Sequence, residues 1–243
     1  MDATRSPFPL TFDPSPSGWK RAGVQTPEAP PVEAAGAVRS SPLPLDPQLR
    51  ARLTALFQEG REMWDRFEVE VRQKKWHPFI PGNYERILEA LLAQTPVRPG
   101  ASLAPRRFLE WGSATGVVTI MADLLGFEAC GIELDADLVR VARGLAERHG
   151  SGARFSAGSF LPEGYRWTPL DGDGRSGTLG DGPSAYPDLG YELADFDLVY
   201  GYPWDGERAL MRDLMQRSGS PGATLLVHTG THDIRVCSLS TAF

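Results

Sequence analysis

The stretch FLEWGSATG, Phe108 to Gly116, joins two apolar residues to an acid, Glu110, and then to a turn bracketed by Gly112 and Gly116. The residues that follow, 117–125, are mostly apolar and indicate a buried helix. A buried strand that ends on a carboxylate and leads through glycines into a helix is suited to holding a small ligand, because glycine allows a tight turn and a close approach of the backbone. That ligand must also tolerate a negative charge beside the turn.

Composition limits the classes of protein that this chain can represent. Its 243 residues suit one domain with extensions or two small domains, and a hydrophobic share of 41% is enough for a core. No apolar run approaches the roughly 18 residues of a membrane span, so no membrane association is expected. The net charge of −6 argues against nucleic acid as the main partner, although a local basic patch would be diluted in this total.

The cysteines and the N-terminus indicate the compartment. Cys130 and Cys237 form neither a disulfide framework nor a CxxC pair, which indicates a reducing environment. The N-terminus has no apolar signal segment, and its acids fit a transit peptide poorly. We therefore expect a cytoplasmic protein.

The first 45 residues are expected to be a disordered, proline-rich tail. Ten of the 21 prolines lie within residues 1–47, among few aliphatic side chains whose burial could offset the entropy of ordering. A docking tail and a plain extension both fit this composition.

Order is predicted to begin at Asp46-Pro47, a helix cap followed by proline at the first helical position. Apolar residues then recur at helical spacing to about residue 73. After a break at WHPFIPG, Asn83 can cap a second helix. These two helices, within residues 46–94, form the predicted N-terminal cap.

Residues 95–243 are predicted to form the core. Strands and helices alternate there, which predicts an α/β fold, a Rossmann-like and mostly parallel sheet of five to six strands with helices on both faces. The predicted strands are residues 107–110, 129–134, 153–157, 196–200 and 223–228, with a further strand at 233–239. Residues 162–195 interrupt the pattern with a glycine-rich run and are predicted to form a long surface loop, either functional or disordered.

The predicted site lies outside the carboxyl ends of the strands, where ligands bind in open parallel sheets. Glu110 and the glycine turn lie there, and so does Glu133 at the end of the second strand, about 20 residues beyond Gly112. A turn and an acid at this spacing fit either a nicotinamide dinucleotide or S-adenosylmethionine. Both carry a ribose, and the acid can accept hydrogen bonds from its hydroxyl groups.

Glu110 favours S-adenosylmethionine over a nicotinamide dinucleotide. A carboxylate beside the turn would repel a pyrophosphate, whereas it suits the ammonium and sulfonium groups of S-adenosylmethionine. The glycines also have GxxxG spacing and lack the GxGxxG pattern of dinucleotide binders. EWGSATG followed by GIELD resembles motifs I and II of the class I (seven-strand, Rossmann-like) S-adenosylmethionine-dependent methyltransferases, and the resemblance covers about residues 78–230.

The resemblance implies a set of cofactor-binding residues. Glu133 would accept hydrogen bonds from the ribose hydroxyl groups, and Leu134 would pack near the adenine. After the third strand the family often has an acid near the adenine amine, whereas Ser159 and Phe160 stand here as a hydroxyl acceptor and a stacking ring. Tyr84 would cap the methionine end or belong to the core. The full implied set is Tyr84, Glu110, Gly112, Ser113, Ala114, Gly116, Glu133, Leu134, Ser159 and Phe160.

Ala114 is the main departure of the first motif from the family pattern, since a middle glycine is common at this position. An alanine is compatible with the turn if its backbone angles are ordinary. It leaves less room than glycine for the methionine moiety.

The fourth strand leads into YGYPWDGE, which weakly resembles the substrate segment of amino-directed methyltransferases. Tyr202 and Trp204 would line the acceptor pocket, and Asp205 would orient an amine, cap the next helix, or do both. His228, at the end of the fifth strand, would line the pocket or accept a proton. Methyl transfer mainly requires alignment and exclusion of water, so no catalytic triad is expected. The pair His228 and His232 lacks the further ligands of a metal site, so no metal is expected.

Three functions stay open at this point. The favoured one is transfer of a methyl group from S-adenosylmethionine to an unidentified small molecule or protein side chain. The alternatives are a nicotinamide-dependent oxidoreductase and a non-catalytic methyltransferase-like binding module, the latter suggested by Ala114 and the short segment after Gly230. The short segment would also leave an edge strand exposed and so allow a homodimer.

Deletion of residues 1–45 should leave the melting temperature nearly unchanged, because this segment has too few apolar side chains to pack against the rest of the chain. Thermal unfolding of the truncated and full-length proteins, followed by circular dichroism, checks this. A fall of many degrees would show that the segment is docked.

Overall fold

The computed structural model describes residues 45–71, 81–95, 105–166, 182–203, 207–229 and 233–239. The elements in chain order are α1 (Pro47–Val71), α2 (Tyr84–Gln94), β1 (Arg107–Trp111), α3 (Val117–Leu124), β2 (Glu128–Glu133), α4 (Ala136–Arg148), β3 (Arg154–Ala157), α5 (Tyr186–Leu189), a 3-10 turn (Leu193–Asp195), β4 (Leu198–Gly201), α6 (Glu207–Ser218), β5 (Thr224–Thr229) and β6 (Asp233–Ser238). The tail predicted to be disordered lies, apart from Leu45, outside the described residues.

The described strands form one sheet in the order β3-β2-β1-β4-β5-β6. Strands β1 to β5 are parallel, and β6 pairs antiparallel with β5. This confirms the predicted Rossmann-like, mostly parallel sheet, including the strand predicted at 233–239. The order reverses between β1 and β4, and such a switch point opens a crevice at the carboxyl ends of the two strands.

Side chains of β1 alternate between two hydrophobic layers. Phe108 belongs to the layer that contains α1 to α4, whereas Leu109 and Trp111 belong to the layer that contains α5 and α6. Helix α3 is buried on nearly all sides, because α1 and α2 cover the surface that faces away from the sheet. Helices therefore pack on both faces of the sheet, as predicted.

The prediction that residues 162–195 form a surface loop is partly wrong, because some of them are buried in the layer that contains α5 and α6. Ala185, Tyr186 and Leu189 are buried in this layer, and the indole Nε1–H of Trp111 donates to the Tyr186 hydroxyl oxygen at 3.0 Å. Residues 182–195 therefore contribute buried side chains to the core, although the glycine-rich run before them resembles a loop. Residues 167–181 of the predicted loop lie outside the described residues.

The two predicted N-terminal helices are present, and both begin at the predicted caps. Asp46 Oδ1 accepts hydrogen bonds from the N–H groups of Gln48 and Leu49, and Asn83 accepts one from the N–H of Arg86. Helix α1 runs through Gly60, where a Cβ atom would lie 2.7 Å from Val117 Cγ2. The absence of a side chain at Gly60 therefore allows α1 to pack closely on α3. The boundary that was predicted between an N-terminal cap and the core stays a prediction.

Candidate functional site

The turn after β1 lies against the carboxyl end of β2. The N–H groups of Gly112 and Ser113 both donate to the carbonyl oxygen of Ile132 at 2.9 Å, and the N–H of Gly116 donates to the carbonyl oxygen of Ser113 at 2.7 Å. Three turn residues have positive φ angles, 73° at Gly112, 46° at Ala114 and 84° at Gly116. This backbone path is why the segment needs glycines.

The two turn glycines have different surroundings. A Cβ atom on Gly112 would meet no atom within 4 Å, so the main chain there borders open space. A Cβ atom on Gly116 would lie 2.7 Å from the Phe155 ring and 2.8 Å from the Cβ of Ala142, so this glycine permits the close packing of α3 against α4 and β3. Gly112 is therefore the position at which a ligand can approach the backbone.

Ala114 has a strained backbone. Its φ of 46° lies in the left-handed region, which costs a residue with a Cβ atom about 1–2 kcal/mol. The condition of ordinary backbone angles, under which alanine would suit this position, is therefore not met. A hydrogen bond from the N–H of Ala114 to Glu133 Oε2 at 2.9 Å helps to hold the residue in this conformation.

Glu110 is buried at the end of β1, with only 5% of its surface exposed. Its Oε2 accepts hydrogen bonds from the backbone N–H of Thr119 at 2.9 Å and from the Thr119 hydroxyl at 2.5 Å. Oε2 thus caps the first turn of α3, while Oε1 has no hydrogen bond with a described residue. Burial raises the pKa of the carboxyl to about 8; the Thr119 hydrogen bonds oppose this rise, and the nearby Glu133 adds to it.

Glu133 lies half-buried at the end of β2, beside the turn. Its Oε2 accepts from the N–H of Ala114 at 2.9 Å and its Oε1 from the N–H of Asp135 at 3.0 Å. Burial raises the pKa of this carboxyl, against the lowering effect of the backbone hydrogen bonds. Each oxygen can accept a further hydrogen bond, since an ionised carboxylate has about four acceptor positions.

A cleft opens between the turn, the start of α2 and the end of β4. Its walls are Pro81 and Gly82, the turn residues 112–115, Glu110, and the tyrosines at 84, 200 and 202. The cleft has a volume of about 40 Å³, which is far below the roughly 300–1,000 Å³ of small-molecule sites. A cofactor-sized ligand would therefore also occupy the open rim of the cleft.

Two tyrosines of this cleft lie close enough to Glu110 for its charge to affect their hydroxyl groups. Tyr200, on β4, is 2% exposed, and its hydroxyl has no hydrogen-bond partner among the described residues. Burial raises the pKa of Tyr200 well above its ordinary value, and Glu110 adds to the rise. Burial and then Glu110 also raise the pKa of Tyr84. Both phenols therefore stay protonated at neutral pH.

The acceptor-side residues predicted from sequence are only partly described. Tyr202 lines the cleft, and its ring stacks on the buried ring of His228 with centroids 4.2 Å apart. Tyr84 belongs to the core, because its ring packs on Phe57 with centroids 5.4 Å apart, and it also lines the cleft. Its contact with the methionine end of a cofactor stays a prediction. Trp204 and Asp205 lie outside the described residues.

The predicted adenine-side residues lie at the ends of β2 and β3. Leu134 is half-buried, and the hydroxyl oxygen of Ser159 accepts a hydrogen bond from the N–H of Leu161 at 3.1 Å. The Phe160 ring stacks on Trp111 with centroids 5.3 Å apart, so one of its faces is already covered. Their contacts with an adenine stay predictions.

Sequence reasoning missed Thr119, Tyr200 and Gly82 as site residues. Thr119 had a usable signal, because it is a lone polar residue in the first turn of an apolar helix. Tyr200 had none, since a tyrosine in the apolar strand LVYG is more typical of a core. Gly82 matters because a Cβ atom there would lie 3.3 Å from the Tyr200 hydroxyl oxygen.

The described residues form neither a cluster of metal ligands nor a membrane-spanning helix. In the described part of the chain, no three His, Cys, Asp or Glu side chains come together as they would around a metal ion. Among the same residues, no helix combines the length and apolar character needed to cross a membrane.

The sheet order, the antiparallel last strand and the glycine turn between Glu110 and Glu133 define a Rossmann-like fold. No family model matches the sequence, and no curated protein matches it.

Several solved structures resemble this fold at low identity. An RNA methyltransferase from Salinibacter ruber in complex with S-adenosyl-L-homocysteine is 18% identical with a TM-score of 0.41, over 61% of this chain and 76% of that one. The YcgJ protein from Bacillus subtilis is 15% identical with a TM-score of 0.39, over 59% and 50%. A Pyrococcus abyssi tRNA (uracil-54, C5)-methyltransferase, also with S-adenosyl-L-homocysteine, is 16% identical with a TM-score of 0.36, over 62% and 30%. The chain thus spans half or less of two of these proteins, and likeness of this degree leaves its own substrate open.

Ala114→Gly should raise the free energy of unfolding by about 0.5–1 kcal/mol, because relief of the left-handed strain exceeds the added entropy of the unfolded chain. Ala55→Gly, at an exposed position in α1, is the matched control and should lower it by about 1 kcal/mol. Denaturant unfolding measures both. A loss of stability in Ala114→Gly equal to that of the control would contradict the strain at this position.

Glu110→Gln should change how stability depends on pH. The folded-state pKa of about 8 lies above the ordinary 4.5, so the folded protein holds a proton that the unfolded chain releases between these values. The free energy of unfolding therefore falls as pH rises from about 4.5 to 8. In the neutral variant, the decrease in the free energy of unfolding over this pH range should be smaller by about 1–3 kcal/mol. Denaturant unfolding at pH 5, 7 and 9 measures this decrease, and the exposed Glu147→Gln is the control. The same pH dependence of stability in wild type and Glu110→Gln would disprove the raised pKa of Glu110.

Proposed function

We propose that this chain is an S-adenosylmethionine-dependent methyltransferase, which moves a methyl group to an unidentified small molecule or protein side chain. The observation that carries the proposal is the Glu110 carboxyl, buried at the end of β1 and hydrogen-bonded to the first turn of α3. It places an acidic group, which can ionise when a cation binds beside it, where the cofactor of a Rossmann-like fold binds.

The same observation argues against a nicotinamide dinucleotide. A pyrophosphate would bind at the N-terminus of α3 and on free N–H groups of the turn. Glu110 already caps that helix, and the N–H groups of Gly112, Ser113 and Ala114 already donate to oxygens of β2. The two negatively charged phosphates would lie beside a carboxyl group, and these N–H groups could not donate to them because they already donate to other oxygens.

The described residues fit S-adenosylmethionine in three ways. The open space at Gly112 allows the methionine portion to approach the backbone. Oε1 of Glu110 is available to an ammonium group, and the two oxygens of Glu133 are available to the ribose hydroxyl groups. Bound S-adenosylmethionine supplies a methyl group on a positively charged sulfur, which is a good leaving group.

The remaining work of the protein is alignment and exclusion of water. Tyr84, Tyr200 and Tyr202 line the cleft, so they can shield the reacting atoms from solvent. His228 lies behind Tyr202, and we assign it the role of receiving the proton that the acceptor releases. The acceptor would enter on the side of β4 and β5, where Trp204 and Asp205 follow in sequence.

Glu133→Ala should weaken binding of S-adenosylmethionine by about 1–3 kcal/mol, the usual range for a hydrogen bond to a charged group. Isothermal titration calorimetry measures the affinity, and NADH is titrated in parallel and should give no binding. Glu147→Ala removes an exposed acid on α4 and serves as the control with wild-type affinity.

Glu133 also holds the turn, so the melting temperature of Glu133→Ala is measured alongside its affinity. A folded variant with unchanged affinity would remove Glu133 from the ribose site. Absence of S-adenosylmethionine binding to the wild-type protein, or tight binding of NADH, would overturn the proposed function itself.

A further inference from the structure

Strand β6 lies at one edge of the sheet. Among the described residues its only neighbouring strand is β5. The N–H of Leu239 donates to the carbonyl oxygen of Ala223 at 3.0 Å, so Leu239 directs its backbone groups toward β5. Because this direction alternates along a strand of an antiparallel pair, the backbone groups of Ile234, Val236 and Ser238 point away from β5. They are the groups with which a further strand would pair.

This edge strand lacks several features that usually prevent pairing. Its register with β5 is continuous from Asp233 to Ser238 without a bulge, and it contains neither proline nor lysine. Proteins commonly protect an edge with these features or with charged side chains. The charged side chains of Asp233 and Arg235 lie on the opposite face of the sheet from Val236, because successive side chains alternate. The edge can therefore accept another strand.

Val236 is a second observation that points to a partner at this edge. It is 53% exposed, and no other large hydrophobic side chain among the described residues is classed as exposed. It lies opposite Leu226, on the face of the sheet that α1 to α4 cover. Val236 is also the central residue of the segment 233–239, which runs alongside β5. A partner strand would cover an apolar side chain at the middle of an open edge.

The partner that matches this edge is a second copy of it. A two-fold axis perpendicular to the sheet makes two β6 strands antiparallel when they pair edge to edge. With this axis at Val236, the segment 233–239 overlaps its copy along its whole length. No two like charges then face each other, and such a contact would be destabilising. The pairs across the axis are Val236 with Val236, Ile234 with Ser238, Arg235 with Cys237, and Asp233 with Leu239.

Neighbouring registers match less well. Since outward-pointing residues alternate along the strand, one copy can shift against the other only by two residues at a time. A shift in one direction places Arg235 opposite Arg235 of the second copy, where like charges repel. A shift in the other direction places Val236 opposite the polar Ser238. Either shift also shortens the overlap, to residues 233–237 or 235–239, so charge and overlap both favour the axis at Val236.

The proline-rich tail matches this edge less well than a second copy does. Ten of the 21 prolines lie within residues 1–47, and a proline has no N–H to donate to a strand ladder. A second copy instead supplies the same outward N–H and carbonyl groups that β6 itself presents.

We propose that two copies of this chain associate through their β6 edges, with the two-fold axis at Val236, and form one continuous sheet. Helix α2 lies beside β6, in the layer to which Ile234 belongs, so the two α2 helices extend the contact on that face. Because the pairing is antiparallel, the carboxyl ends of β1 to β5 in the two copies lie at opposite edges of the joined sheet. Both clefts therefore stay open, and the inference does not depend on the proposed function.

Cysteine cross-linking tests the position of the axis. Val236→Cys, combined with Cys237→Ser to remove the neighbouring thiol, places two Cα atoms about 5.5 Å apart across the axis, within the range of a disulfide. The matched control is Ser238→Cys in the same background, on the same face of the same strand. Its two copies would lie about 13 Å apart along the strand direction. Mild oxidation should therefore link Val236→Cys into a dimer and leave Ser238→Cys monomeric on a non-reducing gel.

Sedimentation equilibrium of the full chain measures association without a cross-link. Wild-type protein should shift toward twice the chain mass between about 1 and 100 µM, because a small interface gives a dissociation constant of roughly micromolar order. Val236→Lys places two ammonium groups at the axis and should raise the dissociation constant at least about tenfold. Ala55→Lys adds the same charge at an exposed position in α1 and should behave as wild type.

Other occupants of the edge would give different results. Wild-type protein that stays monomeric over this concentration range, as it would if another segment of the chain covers β6 or if the edge binds a different protein, overturns the inference. A dimer that Val236→Lys does not weaken, or equal cross-linking of the two cysteine variants, would place the contact elsewhere and also overturns it. The melting temperature of each variant confirms that it is folded, and the cross-linking pair keeps the test valid if Val236→Lys is not.

Discussion

The hydrogen bonds between the Glu110 carboxyl and Thr119 join the end of β1 to the first turn of α3. They fix the direction of the turn, because residues 112–116 must connect the end of β1 to the start of α3. They also satisfy donors at a helix N-terminus that would otherwise be open to an anion. The site can therefore be acidic without leaving the helix uncapped.

The same turn couples the cleft to the packing of the core. Gly116 allows α3 to lie against Phe155 and Ala142, and α3 in turn supports α1 and α2. Tyr84 reaches the cleft only because α2 is held in this position. The N-terminal helices are thus part of the cleft wall as well as a cover for the apolar surface of α3. A change in how they pack would move an aromatic wall relative to Glu110.

Several features of the fold could be predicted because their signals are local. The caps at Asp46 and Asn83 act on neighbouring N–H groups, and strands β1, β2 and β5 are apolar runs of ordinary length. The region 182–195 could not be predicted, because Tyr186 and its neighbours resemble the glycine-rich run that precedes them. Their burial depends on Trp111, a residue distant in sequence whose indole donates to the Tyr186 hydroxyl.

The sequence by itself determined the alternating sheet, the position of the site at the carboxyl ends of the strands, and the two acids, Glu110 and Glu133, that flank the turn. These follow from hydrophobic periodicity and from residue types a few positions apart. Only the tertiary structure decided that Ala114 adopts a left-handed backbone and that one oxygen of Glu110 caps α3. It also decided that Tyr200 brings to the cleft a hydroxyl with no hydrogen-bond partner among the described residues. The reason is physical: β1 and β4 become neighbours through a crossover of many residues, so contacts between them depend on the packing of the whole sheet and leave no local pattern in the chain.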